Sequence, residues 1–158
     1  MKWKLYIISV ISFIIDRLTK IFIMKNMVLN ESKTIIKNFL RITYAKNNGA
    51  AWSIFSGNKL LLIGISILTL VFIIYSIHTM KNLKKFDVVF LGILVGGIMG
   101  NLFDRIVYSS VIDFIDVIIF GYDFPIFNIA DSLIVISAIV LVIMSFRSDK
   151  NENKSWYR

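Results

Sequence analysis

Cysteine is absent from the 158 residues, and histidine occurs once, as His78. The first absence excludes disulfides and thiolate metal sites. The second leaves no cluster to hold zinc or to serve a histidine-based nucleophilic triad. Internal repeats and low-complexity segments are missing as well, and no long polar stretch remains to build a soluble domain. What fills the chain is apolar: 57% of residues are hydrophobic and the mean hydropathy is +0.76. Soluble domains run nearer to about 45–50% apolar. The apolar residues gather in blocks between charged stretches, the pattern of one compact integral membrane domain over residues 1–158. In such a chain the net charge of +8 belongs to Lys and Arg beside anionic membrane lipid. Without a soluble domain to carry it, no nucleic-acid partner is expected.

A helix needs about 20 mostly apolar residues to cross a bilayer. Four blocks qualify, at about 5–24, 60–80, 88–105 and 127–146. The expected fold is therefore all-α, with four transmembrane helices. MKWK ahead of LYIISVISFII resembles a signal peptide, but no small-residue cleavage site follows, and the run continues through Asp16, Arg17 and Lys20. A retained helix is expected. Lys2 and Lys4 precede the first span, Lys81, Lys84 and Lys85 crowd the second connection, and Arg147, Lys150, Lys154 and Arg158 follow the last. Positive charge marks the cytoplasmic side, so both termini are expected there. The longer connections, 25–59 and 106–126, then lie outside. TIIKNFLRITYAKN in the first of these is partly alternating and β-branched, which predicts one or two short strands. Gly92, Gly96 and Gly100 recur every four residues, a spacing for close helix packing. The tail SDKNENKSWYR reads as a frayed polar end.

With this orientation the polar residues of separate segments share one depth. Asn128 and Asp131, three apart, open the fourth span; Asn101, Asp104 and Arg105 end the third; Asp16 and Lys20, four apart, occupy the outer half of the first. The connections add Asn47, Asn48, Gly49, Asp113 and Asp116. Ionisable groups inside spans face a bundle interior or an aqueous cavity and mark function. His78 lies at the opposite end, and Lys20, one turn from Asp16, is better placed as a charged partner than as the base of a Ser–Lys dyad. No metal-ligand spacing is present. Carboxylates remain. Two Asp side chains sharing one proton can activate a water and protonate a carbonyl, which is peptide hydrolysis without a cofactor. Asp131 is a natural member of such a pair; its partner is open among Asp104, Asp113, Asp116 and Asp123. A proton-coupled transporter or channel uses buried carboxylates too, but spreads them along a pathway.

The motifs resemble those of the lipoprotein signal peptidase (signal peptidase II) family. DRLTK (residues 16–20) is similar to its D-x-x-[ST]-K, NNGAAWS (47–53) to N-x-G-A-A-[FW]-S, and GGIMGNLFDR (96–105) to the G-N-x-x-D-R segment. VIDF (111–114) and FNIADS (127–132) are similar to the two segments that each carry a catalytic Asp. Asn48 and Trp52 are mild departures. By position, the resemblance implies Asp113 and Asp131 as the catalytic pair. Asn128 and Ala130 would shape the approach, while Asp16, Lys20, Asn47, Gly49, Asn101 and Arg105 would line or brace the site. It also implies an aspartyl endopeptidase of the bacterial cytoplasmic membrane, acting near the outer face; a monomer is expected. Its substrates would be prolipoproteins, cut just before a Cys that bears diacylglyceryl.

Overall fold

The computed structural model describes residues 2–50, 54–80 and 83–155, with side chains described as far as Phe146. Trp52, Ser53, Lys81 and Arg158, and the side chains of Arg147, Lys150 and Lys154, lie outside the described residues. Four long helices, α1 (Lys2–Asn26), α2 (Lys59–Thr79), α3 (Lys85–Tyr108) and α4 (Ile129–Ser155), are joined by four strands. These are β1 (Ser32–Ile36), β2 (Leu40–Asn47), β3 (Val111–Ile119) and β4 (Tyr122–Asp123). Three helices are long and apolar enough to cross a membrane: α2, α3 and the stretch 129–146 of α4.

α1 has the length but also Asp16, Arg17 and Lys20, and its amphipathicity is reversed. Ser9, Ser12, Asp16 and Lys20 are buried, whereas Ile7, Val10, Ile14, Leu18 and Phe22 are exposed. A water-soluble helix buries its apolar stripe; this one turns that stripe outward and keeps its charges against the neighbouring helices.

α3 is the central post, packed on α1, α2 and α4. The glycine spacing is the reason. A Cβ on Gly92 would lie 2.9 Å from Leu5 O, and one on Gly96 would lie 2.5 Å from Ser9 O, so the α1 backbone occupies the space that side chains would need. Gly97 does the same for α4, where the nearest atom is Ala130 O at 2.8 Å. At one end of the bundle α1 and α2 meet through Leu5 and Ile77. There Tyr6 Oη lies 3.0 Å from His78 Nε2, and Lys2 Nζ donates to His78 O at 2.9 Å.

The sheet occupies the other end, in the order β1-β2-β3-β4 with all neighbours antiparallel. The expected strands in 34–47 are β1 and β2. β3 was not anticipated, although VIDFIDVII is rich in Val and Ile, the residues that suit a pleated surface. α4 also differs from expectation, continuing as helix through Ser155 instead of fraying. The Lys, Glu and Ser of that stretch are compatible with helix in water. Ile112 and Phe114 of β3 pack on Ile23 and Tyr44, fixing the strand against the end of α1. Phe127 pairs with Ile115, which brings the start of α4 onto β3.

Candidate active site

An acid at the mouth of an apolar helix now has a local explanation. α4 begins at Ile129, so Asn128 is its N-cap and Asp131 its third residue. The Asp131 N–H donates to Asn128 Oδ1 at 2.9 Å, and the Asn128 N–H donates to Asp131 Oδ2 at 3.2 Å. This is a capping box, satisfying two backbone donors that a helix start otherwise leaves unpaired. The positive end of the helix dipole favours the negative charge there.

Three asparagines aim their amide N–H groups at two carboxylates. Asn128 Nδ2 donates to Asp113 Oδ1 at 2.7 Å, Asn47 Nδ2 to Asp113 Oδ2 at 3.0 Å, and Asn101 Nδ2 to Asp131 Oδ1 at 2.7 Å. None of these amides is free to flip. Each presents its Oδ1 to a group that only donates: Lys20 Nζ for Asn101 at 3.0 Å, the Asp131 N–H for Asn128, and the Gly49 N–H for Asn47 at 2.9 Å. Asn128 Nδ2 also reaches Asn101 Oδ1 at 3.1 Å. Asp113 and Asp131 are thus joined through one residue, Asn128, whose side chain donates to the first carboxylate and whose backbone N–H donates to the second.

Behind this layer lies a buried ionic cluster. Lys20 Nζ donates to Asn101 Oδ1 and forms ion pairs with Asp16 Oδ2 and Asp104 Oδ2, each at 2.9 Å; among the described residues Asp16 Oδ2 has no hydrogen-bond partner. Asp16 Oδ1 accepts the Ala130 N–H at 3.0 Å, tying α1 to α4. Asp104 Oδ1 pairs with Arg17, and its Oδ2 also accepts the Ile112 N–H at 3.2 Å. Lys20, Asp16, Asp104 and Asn128 are fully buried. Arg105 sits over the site, with Nη2 3.3 Å from Gly49 O and Nη1 3.5 Å from Asn101 O. Among the described residues its buried Nε has no hydrogen-bond partner.

Of the four carboxylates that sequence left open as the partner of Asp131, three are engaged elsewhere. Asp104 belongs to the ionic cluster. Asp116, three residues beyond Asp113, is an odd step along a strand and so points to the other face; Arg41 grips it with bonds of 2.8 and 2.9 Å, and Thr43 Oγ1 donates at 2.6 Å. Arg41 also takes Asp123, at 2.8 Å. Asp113 is the one brought to Asp131. Burial, and next the nearby charge of Asp131, push its carboxyl up to about 7, against the opposing bonds from Asn47 and Asn128.

The sequence matches the family profile described as signal peptidase (SPase) II over residues 8–147. The chain belongs to the signal peptidase II family. Lipoprotein signal peptidases of Staphylococcus aureus strains JH9 and Newman are each 40% identical to it over 148 residues, covering 94% of this chain and 91% of theirs. A bacterial membrane enzyme solved by the in meso method at 2.3 Å resolution superposes with a TM-score of 0.85 at 40% identity, covering 92% of this chain and 88% of that one. A second, solved at 1.9 Å, gives 0.79 at 41% identity, with coverages of 87% and 89%.

Every site residue inferred from the motifs of this chain lies at the sheet end of the bundle. Asp16, Lys20, Asn47, Asn101, Asn128, Asp113 and Asp131 form one hydrogen-bonded network, Ala130 joins it through its N–H, and Gly49 and Arg105 meet at its edge. Sequence reading did not assign Arg17 or the junction role of Asp104. The signal was present in DRLTK, where a second cation follows Asp16 inside an apolar run.

Proposed function

We propose that this chain removes the signal peptide from diacylglyceryl-modified prolipoproteins, cutting the bond just before the lipidated Cys with a water held between Asp113 and Asp131. The observation that carries this reading is Asn128, one residue that donates to both carboxylates: its side-chain amide to Asp113 Oδ1 and its backbone N–H to Asp131 Oδ2. Asp131 serves as the charged member, since it sits in the first turn of α4, where the helix dipole favours negative charge. Asp113, on a strand without such a dipole and pushed up to about 7, holds the proton. Asp131 takes a proton from the water as its oxygen attacks the scissile carbonyl, and Asp113 donates to the carbonyl oxygen. The tetrahedral intermediate then collapses, breaking the C–N bond, as the proton on Asp131 passes to the leaving amine and Asp113 takes back a proton from the intermediate's hydroxyl, which restores the pair. The site is assembled before substrate arrives, so little reorganisation is needed during the chemistry.

In the same reading α1 is the fourth span, since its exposed face is apolar and its charges are buried. Residues 1–158 act as one domain in the bacterial cytoplasmic membrane, with both termini cytoplasmic and the sheet end outward. Two acyl chains would keep the substrate Cys near that surface, level with the site. A transporter or channel finds no support: the buried charged side chains cluster at the sheet end, and the buried polar residues nearer the other end are serines such as Ser9 and Ser137.

The deciding test incubates purified protein with a synthetic diacylated lipobox peptide, beside Asp113→Asn and Asp131→Asn; cleavage by either variant overturns the pair. Two further outcomes are expected of that assay. The kcat/KM falls as pH rises beyond about 7, because Asp113 then loses the proton it must donate. Asn47→Ala removes a bond that favours the ionised form, so the falling limb moves to higher pH; a limb that stays in place would count against Asp113 as the acid. Asp116→Asn keeps cleavage within about threefold while lowering the melting temperature, since it loosens a partly buried ion pair on the other face of the strand and not the site.

A further inference from the structure

Asp104 is the junction between the two acids. Through Lys20 and Asn101 it reaches Asp131, and through the Ile112 N–H it holds the strand one residue before Asp113. Its Oδ2 carries both of those contacts. Lys20 Nζ is already held between Asp16 Oδ2, Asp104 Oδ2 and Asn101 Oδ1. Oδ1 is met by Arg17 Nη1. The guanidinium is itself anchored: Nη2 donates to Tyr108 Oη at 3.3 Å, and the ring of Phe103 lies 4.6 Å from its central carbon. Arg17 is buried, with its side chain 9% exposed. The cluster is then neutral, Asp16 and Asp104 against Arg17 and Lys20.

We propose that Arg17 is a positioning residue for the hydrolysis: by fixing Asp104 it sets Asn101, and hence Asp131, in register with the strand that carries Asp113. Without it two buried carboxylates share one ammonium. Asp104 then draws Lys20 away from Asn101, whose amide loses the contact that keeps its N–H on Asp131. Arg17 touches neither acid of the pair, so it affects turnover and not substrate affinity. The inference rests on the Asp113–Asp131 reading above.

The test measures kcat and KM per folded molecule for Arg17→Gln and Arg17→Lys in detergent with a diacylated lipobox peptide. Arg17→Gln should lower kcat about tenfold or more with KM unchanged, the scale of a small misplacement of reacting groups. Arg17→Lys keeps a cation against Oδ1 and should restore kcat to within about threefold of the parent, a rescue that loss of packing alone would not give. An unaltered kcat in Arg17→Gln, a change confined to KM, or an Arg17→Lys as slow as the Gln variant each overturns the proposal. If Arg17→Gln does not fold, Arg17→Lys decides alone: a kcat below about a tenth of the parent's overturns it, and one near the parent's supports it. Asp113→Asn in parallel separates the two readings. Cleavage by that variant removes the acid pair itself, whereas an inactive Asp113→Asn beside a fully active Arg17→Gln removes only the role of Arg17.

Discussion

Asp113→Asn should abolish cleavage and, at pH 8, make the protein harder to unfold. Loss of a positioned acid removes about 10²–10⁴-fold in rate, and the amide can also no longer share a proton with Asp131. The gain in stability comes from linkage. Asp113 ionises in the unfolded chain near the usual carboxylate value, about 3.9, but in the folded protein only at about 7. A folded value above the unfolded one means that the stabilising contribution is complete below about pH 4 and is lost as pH climbs through about 7. Above that, the buried charge opposes folding by a few kcal/mol on the order-of-magnitude scale of about 1.4 kcal/mol per unit. Asparagine does not titrate. It accepts from Asn128 or Asn47 but cannot accept from both, which offsets part of the gain. The melting temperature of the variant relative to the parent should therefore rise between pH 5 and pH 8. A difference that stays constant with pH would contradict the raised value of Asp113.

The second large effect is expected at the glycines of α3. An added Cβ at Gly96 would fall 2.5 Å from both Ser9 O and Ser12 Cβ, and backbone does not yield as a flexible side chain does. Overpacking typically costs about 1–3 kcal/mol, and here it separates the two helices that hold the ionic cluster. Gly96→Ala should lower the melting temperature by several degrees or prevent accumulation of folded protein. At Gly100 the added Cβ collides with Asp16 Oδ2, an atom ion-paired with Lys20. Gly100→Ala should accordingly lose turnover even in molecules that fold. Gly64→Ala is the control: nothing lies within 4 Å of that Cβ, so melting temperature and cleavage should hold. Equal stability of the Gly96 and Gly64 variants would show that α1 and α3 do not pack as described.

Much of this was legible in the chain because each signal was local. The blocks of hydrophobicity mark the helices, the four-residue glycine step marks the face of α3 against α1, and the spacings 16/20, 101/105 and 128/131 mark shared faces. The partner of Asp131 was not legible from physics alone, because it depends on a strand placed against a helix start from far along the chain. Asp104, Asp113, Asp116 and Asp123 carry the same functional group; what separates them is β3, which turns Asp116 toward Arg41 and Asp113 toward Asn128. Arg17 was passed over for a related reason. In one dimension it is a charge beside a charge, and only the crossing of α1 with α3 shows that it completes Asp104.

The reversed face of α1 bears on how the chain enters the bilayer. Arg17 and Lys20 find Asp104 and Asn101 only 87 and 81 positions later. A nascent α1 therefore emerges with cations and an acid whose remaining counter-groups have not yet been synthesised, and hydrocarbon is a poor solvent for them. With α1 as the proposed fourth span, its settling into lipid would be tied to the arrival of α3, making insertion of these two helices a joint event and not a sequence of independent steps.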